Sequence, residues 1–145
     1  MIAIACDHGG FELKQTVLRF LAQKDIPVQD FGCDGLESCD YPDFGIPAAG
    51  AVGSGACEMG ILICTTGIGM SMAANKVHGV RCALCGDPLS ARLTRQHNNA
   101  NVLALGAGIV GPNLALEIVE TFLTTPFLGG RHQRRVDKFM ALEQD

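Results

Sequence analysis

Residues 59–69 read Met59-Gly60-Ile61-Leu62-Ile63-Cys64-Thr65-Thr66-Gly67-Ile68-Gly69. The first six are apolar without polar alternation, which suits a strand covered on both faces. A polar, glycine-rich turn follows, and then a small-residue helix expected from about Met70 to Lys76. Strand, glycine turn and helix start, in that order, make the repeating unit of an α/β fold. Glycines let the backbone approach a ligand closely, and N–H groups at a helix start favour an anion. A cysteine at such a turn is placed to react as its thiolate. The turn lacks the Lys-Ser/Thr of a P-loop and the spacing of the dinucleotide fingerprint. The plainer reading, which holds for most lone cysteines, is a tight turn beside a buried thiol.

The same alternation extends in both directions. Ile2 to Cys6 reads as a first strand. A helix from Glu12 to Lys24 follows, with Leu13, Val17, Phe20 and Leu21 on one face. Ile26 to Phe31 reads as a second strand with Pro27 near its start. Residues 32–41, rich in Gly, Asp and Ser, form a loop, and a glycine-weakened helix spans Phe44 to Val52. Beyond the central unit, Val80 to Cys85 is a fourth strand. Asp87-Pro88 starts a helix as N-cap and first residue. Asn101 to Leu105 is the fifth strand, and Pro112 to Leu123 is an amphipathic helix burying Ala115, Ile118, Val119 and Phe122. A basic helix runs from Arg131 to Glu143. Strands alternating with helices imply a parallel sheet covered on both faces, whose ligands bind outside the carboxyl ends of the strands.

Composition narrows the function classes. The 145 residues suffice for one domain, spanning 1–145, with a single core. A hydrophobic fraction of 48% excludes a disordered chain, and a net charge of −4 argues against nucleic acid as partner. No run approaches the ~20 apolar residues of a membrane helix. The start, Met1-Ile2-Ala3-Ile4-Ala5, lacks the basic region of a signal peptide, so a cytoplasmic location without membrane attachment is expected. Seven cysteines, an odd number, do not read as a disulfide framework. Cys82 and Cys85 have redox or zinc spacing but fall in one strand, where positions three apart face opposite sides. Cys33 and Cys39 lie in a loop that could expose them, and nothing in the sequence gives either a role.

Three further clusters carry chemistry. Asp7-His8-Gly9-Gly10 puts a carboxylate and an imidazole at a strand end, where Asp7 also suits a plain helix cap. Arg95-Gln96-His97-Asn98-Asn99 ends the fourth helix, with a histidine able to move protons near neutral pH, or an ordinary capped terminus. Gly129-Gly130-Arg131-His132-Gln133-Arg134-Arg135 places Arg131 and Arg135 four apart on one helical face. Paired guanidiniums suit a phosphate, although a solvated basic turn fits as well.

Taken together, Asp7-His8-Gly9-Gly10-Phe11, Asp40-Tyr41-Pro42, Cys64 to Gly69 with Ala73-Ala74-Asn75-Lys76, Arg95 to Asn98, and Gly129 to Arg135 resemble one family in order and over nearly the whole chain. The family is that of the type B ribose-5-phosphate isomerases and the related galactose-6-phosphate isomerase subunits. The resemblance implies a Rossmann-like, five-stranded parallel sheet in a three-layer α/β/α sandwich, with an extra C-terminal helix. It implies a homodimer, or a dimer of dimers, whose active sites are built from both subunits, and it implies no metal and no cofactor. By resemblance Cys64 is the base moving a proton between C1 and C2, and Thr66 orients it or the substrate. His97 is the acid that opens the furanose ring, with Asp7 assisting. N–H groups of Thr65, Thr66, Gly67, Ile68 and Gly69 hold the enediolate oxygen. Asn98 binds a sugar oxygen, and His8, Arg131 and Arg135 hold the phosphate. One branch of the family has a glutamate base where this chain has Met70, which leaves Cys64 as the candidate. Many members carry an arginine where this chain has Gly108.

The expected activity is aldose–ketose isomerisation of a sugar phosphate, with ribose 5-phosphate and ribulose 5-phosphate as the default pair. The alternatives are another sugar phosphate (tetrose, allose or galactose phosphate), a non-catalytic sugar-phosphate-binding subunit, and a thiol-redox protein using Cys82 and Cys85.

Overall fold

A computed structural model describes residues 1–143. Five strands, β1 (Ile2–Cys6), β2 (Val28–Asp30), β3 (Met59–Cys64), β4 (Cys82–Leu84) and β5 (Val102–Gly106), form one sheet in the order β2-β1-β3-β5-β4. All four pairings are parallel. Six helices connect and flank the strands: α1 (Phe11–Gln23), α2 (Pro42–Gly53), α3 (Ile68–Ala74), α4 (Pro88–Asn98), α5 (Pro112–Thr124) and α6 (Arg131–Met140). The expected α/β sandwich and its extra C-terminal helix are therefore present. No helix among the described residues is long and apolar enough to cross a membrane.

The continuous apolar runs are explained by burial from both sides. Ile4, Ile61, Ile63, Leu103 and Leu105 point to the face covered by α1, α4 and α5, where Phe122 and Ile118 complete the core. Alternate residues Ala3, Ala5, Leu62 and Ala104 point to the other face, under α2 and α3. Small side chains there let these two glycine- and alanine-rich helices sit close to the sheet. Each fully buried Leu or Ile contributes about 1.5–3 kcal/mol relative to exposure.

Several boundaries differ from the sequence expectation. The edge strands are shorter, three residues each: β2 pairs with the first three residues of β1, Ile2 to Ile4, and β4 with the first three of β5, Val102 to Ala104. Helix α3 starts at Ile68, two residues early, because Gly67 takes a left-handed conformation (φ 77°) and turns the chain directly into the helix. The basic helix stops at Met140 and closes with a 3₁₀ turn, Ala141–Glu143, in which Glu143 accepts the Gly79 N–H. Cys33 is buried rather than accessible. Its sulfur lies 3.8 Å from that of Cys6, and its carbonyl accepts a 2.7 Å hydrogen bond from Lys14 Nζ. Lys14 itself is 1% exposed and pairs with Asp30 at 2.8 Å, which fastens α1 to the end of β2.

Candidate active site

The sheet order reverses between β1 and β3: the chain leaves β1 toward β2 on one side and continues from β3 toward β5 on the other. A crevice at the carboxyl ends of these two strands is the expected ligand position. Asp7 and Cys64 stand there, one residue past β1 and at the last residue of β3.

Cys64 is 5% exposed, and its sulfur accepts the Gly67 N–H at 3.2 Å. The turn it begins is clamped from β5. Ala107 and Gly108 N–H groups donate to the Cys64 and Thr65 carbonyls at 2.8 Å each. Gly106 is required for this contact, since a Cβ there would stand 2.5–2.9 Å from the Thr66 backbone. Thr66 Oγ1 accepts the Ile68 N–H at 3.2 Å, leaving its own hydroxyl proton to give. Two of the five turn N–H groups are thus engaged, those of Gly67 and Ile68. Among the described residues, those of Thr65, Thr66 and Gly69 donate to no protein acceptor.

Asp7 takes the capping role as well. Its Oδ1 accepts the N–H groups of Gly9 and Gly10 at 3.0 and 3.2 Å. Its Oδ2 bonds to nothing among the described residues, yet no buried side-chain polar atom there lacks a partner, so Oδ2 reaches the crevice. A Cβ on Gly9 would overlap Thr65 Oγ1, so the β1 and β3 turns are in direct contact. His8 is held by the 32–41 loop: its Nδ1 accepts the Cys39 N–H at 3.1 Å, which leaves Nε2 as the donor of the neutral ring. Tyr41, at the start of α2, lays its ring on Gly69, where a Cβ would come within 2.6 Å of it. The 40–42 block carried no assigned role in the sequence; its contact with Gly69 gives Tyr41 a place at the turn. A largely apolar cavity of about 300 Å³ opens beside the turn between Thr66, Ile68, Leu84 and Ile109.

The remaining predicted residues lie elsewhere. Helix α4 returns the chain from the carboxyl edge of the sheet to the start of β5, so its last turn sits at the opposite edge from Cys64. Along the strands the offset is about 15 Å, the length of a five-residue strand. His97 and Asn98 occupy that last turn, and Asn98 lines a cavity of about 500 Å³ with Asn75, Arg81 and Phe139. Arg95, in the same block, is a structural residue: its guanidinium is buried and bonds the Thr125 and Ala100 carbonyls and Asn99. The ring of His97 stacks on that of His132 with centroids 4.4 Å apart and planes at 14°. His132 had no role in the sequence reading, although its block was singled out. Burial, helped by His97, Arg131 and Arg135, holds His132 below the ordinary histidine range. Arg131 and Arg135 project from α6 into solvent, and neither forms an ion pair among the described residues.

One chain therefore carries two groups that do not meet. No hydrogen bond, ion pair or ring contact among the described residues joins Asp7, His8, Cys64 or Thr66 to His97, Asn98, Arg131 or Arg135. The redox spacing of Cys82 and Cys85 comes to nothing similar. The two thiols belong to opposite cores, and burial pushes them up to about 12 and about 11.

Comparison with known proteins agrees with this geometry. The family model for Ribose/Galactose Isomerase matches residues 2–139. The chain is 47% identical over 143 residues to ribose-5-phosphate isomerase B of Escherichia coli, covering 99% of this chain and 96% of that protein. It is 44% identical over 138 residues to D-erythrulose-4-phosphate isomerase of Pectobacterium atrosepticum, covering 94% and 91%. The solved structure of Clostridium thermocellum ribose-5-phosphate isomerase B superposes with a TM-score of 0.96 at 53% identity, covering 98% of this chain and 96% of that one. An α/β sandwich with a cysteine turn at the reversal of strand order, matched across nearly its whole length, places this chain in the ribose/galactose isomerase family.

Proposed function

We propose that this chain interconverts ribose 5-phosphate and ribulose 5-phosphate through an enediolate, with Cys64 as the base. The observation that carries the reading is the Cys64 turn. It combines a sulfur at the switch point, the open N–H groups of Thr65, Thr66 and Gly69, and the Asp7 carboxylate on the β1 turn, whose Gly9 touches Thr65. The thiolate takes the C2 proton of the open aldose and returns it to C1, while the O2 hydroxyl proton passes to O1. Negative charge that appears on oxygen at the enediolate meets fixed N–H donors, which stabilise it most when it is fully developed. The Thr66 hydroxyl orients the base or the substrate. No electron leaves the substrate, so the step needs no redox group.

The second set of residues comes from a second copy of the chain. In a two-fold dimer each crevice receives the partner's α4–α6 corner, and the arrangement repeats at the other site. His97 then protonates the ring oxygen while Asp7 Oδ2 assists at the ring hydroxyls. Asn98 binds a sugar oxygen, and His8, Arg131 and Arg135 hold the phosphate. Phosphate binding positions the reacting carbons against the sulfur. Sugar phosphates are charged and do not cross membranes unaided, which puts the enzyme in the cytosol with its substrates.

Another sugar phosphate, a tetrose, allose or galactose phosphate, is the second reading, raised by Gly108. A Cβ there would stand 3.1 Å from both Thr65 Cγ2 and the Thr65 carbonyl, so this turn is fitted to glycine, and the phosphate arginine of many relatives is missing. Steady-state rates on pentose, tetrose and hexose phosphates separate the readings. Cys64→Ala, which removes only the sulfur, lowers kcat by about a thousandfold or more while the fold persists. Substantial remaining turnover removes Cys64 as the base.

A further inference from the structure

We propose that His132 is a positioning residue for ring opening, whose stacked ring holds His97 in the orientation from which it protonates the furanose oxygen. The inference rests on the role given to His97 above. Among the described residues no hydrogen bond engages either nitrogen of His97. An acid must keep its proton-bearing nitrogen within hydrogen-bond reach of its target. Among the described residues the ring contact recorded for His97 is the stack on His132, centroids 4.4 Å apart and planes nearly parallel.

The plate under His97 is itself well anchored. The Leu128 N–H donates to the Gln96 carbonyl at 3.2 Å, tying the segment before α6 to the residue preceding His97. Gly129 and Gly130, with φ of 69° and 57°, turn the chain into α6, and the His132 N–H closes onto the Gly129 carbonyl at 3.1 Å. One helical turn on, Val136 is buried and shares the face of His132, so α6 cannot roll without exposing it. Burial first, and then His97, Arg131 and Arg135, favour an uncharged His132, and a neutral ring stacks on an imidazolium without the repulsion of two like charges.

The test compares His97→Ala, His132→Ala and His132→Phe, with ribose 5-phosphate as substrate and thermal unfolding as the check on folding. His132→Ala lowers kcat about tenfold, the upper end of what an aromatic pair is ordinarily worth, with KM within about twofold. His132→Phe, which keeps the plate and removes the titratable nitrogens, restores most of kcat. Three results overturn the proposal: an unaffected His132→Ala, a Phe variant as poor as the Ala variant, or a loss confined to KM, which would make His132 a support for the phosphate arginines. The His97→Ala arm separates the two claims. If it turns over ribose 5-phosphate normally, the role of His97 falls and the inference with it. If it is impaired while His132→Ala is not, the inference alone fails.

Discussion

Gly67→Ala perturbs the point where conformation, packing and chemistry meet. Gly67 has φ 77°, and an alanine in the left-handed region costs about 1–2 kcal/mol. The added Cβ would stand 2.5 Å from Leu84 Cδ1 and 2.8 Å from the Leu105 carbonyl carbon. The leucine tip can move aside. The Leu105 backbone cannot, because β5 is paired on both sides. Overpacking of this kind costs about 1–3 kcal/mol. The sum, about 2–5 kcal/mol, lowers the melting temperature by about 5–15 °C in a chain of this size. The overlap is relieved most cheaply by lifting the turn, which takes the Gly67 N–H away from the Cys64 sulfur, 3.2 Å distant. Lifting the turn also displaces the open Thr66 and Gly69 N–H groups on either side of Gly67, and loss of one preorganised donor at a reacting centre costs about 10²–10³ in kcat. Differential scanning calorimetry and isomerisation kinetics on the same preparation read both effects. Gly50→Ala, in α2 with open space around it, is the control and leaves stability unchanged or raises it by about 0.5–1 kcal/mol. A Gly67→Ala enzyme with wild-type kcat would refute the link between this turn and the chemistry.

Alkaline pH should weaken the fold through its buried thiols. Burial raises Cys6 and Cys85 from the ordinary 9.0 to about 12 and about 11, so above pH 9 the folded chain binds more protons than the unfolded one. Stability therefore falls as pH rises, by up to about 1.4 kcal/mol per pH unit per thiol between 9 and 11; a denaturation series in which Cys6→Ser/Cys85→Ser leaves that slope unchanged contradicts the assignment. Isomerase activity at neutral pH is unchanged in Cys82→Ser/Cys85→Ser, and its loss would reopen the thiol-redox reading. Asp30→Ala leaves the Lys14 ammonium buried with only the Cys33 carbonyl. It destabilises by about 3 kcal/mol in a urea titration, whereas Lys14→Met with Asp30→Ala recovers much of that loss; equal losses in both variants would show that the pair is not the issue.

Much of the fold was legible because its signals are local. Apolar runs such as Met59 to Cys64 and the Asp87-Pro88 helix start depend on neighbours in the chain, and both stand where the residues place them. The order of the strands did not follow from the alternation, since β5 lies between β3 and β4 for reasons of packing, not of sequence distance. Lys14 sits among the buried residues of α1 because Asp30, sixteen residues on, neutralises it, a partner that no helical pattern reveals. Cys33 lies in a polar segment yet is buried because that segment folds over Cys6. In the candidate site, the turn, the Asp7 cap and the arginine pair were visible as residue types. Which N–H groups remain free, and the ring stacked under His97, are properties of backbone direction and helix packing.

The central claim is that neither chain holds a whole site: Cys64 belongs to one copy and the imidazole that serves it to the other. Mixing Cys64→Ala with His97→Ala, each inactive alone on ribose 5-phosphate, and letting the subunits exchange tests it directly. Half of the reassembled dimers are then hybrids, and each hybrid has one site with both native residues, so activity returns to about a quarter of the wild-type value. A mixture shown by native mass spectrometry to contain hybrids and yet without activity would contradict the account.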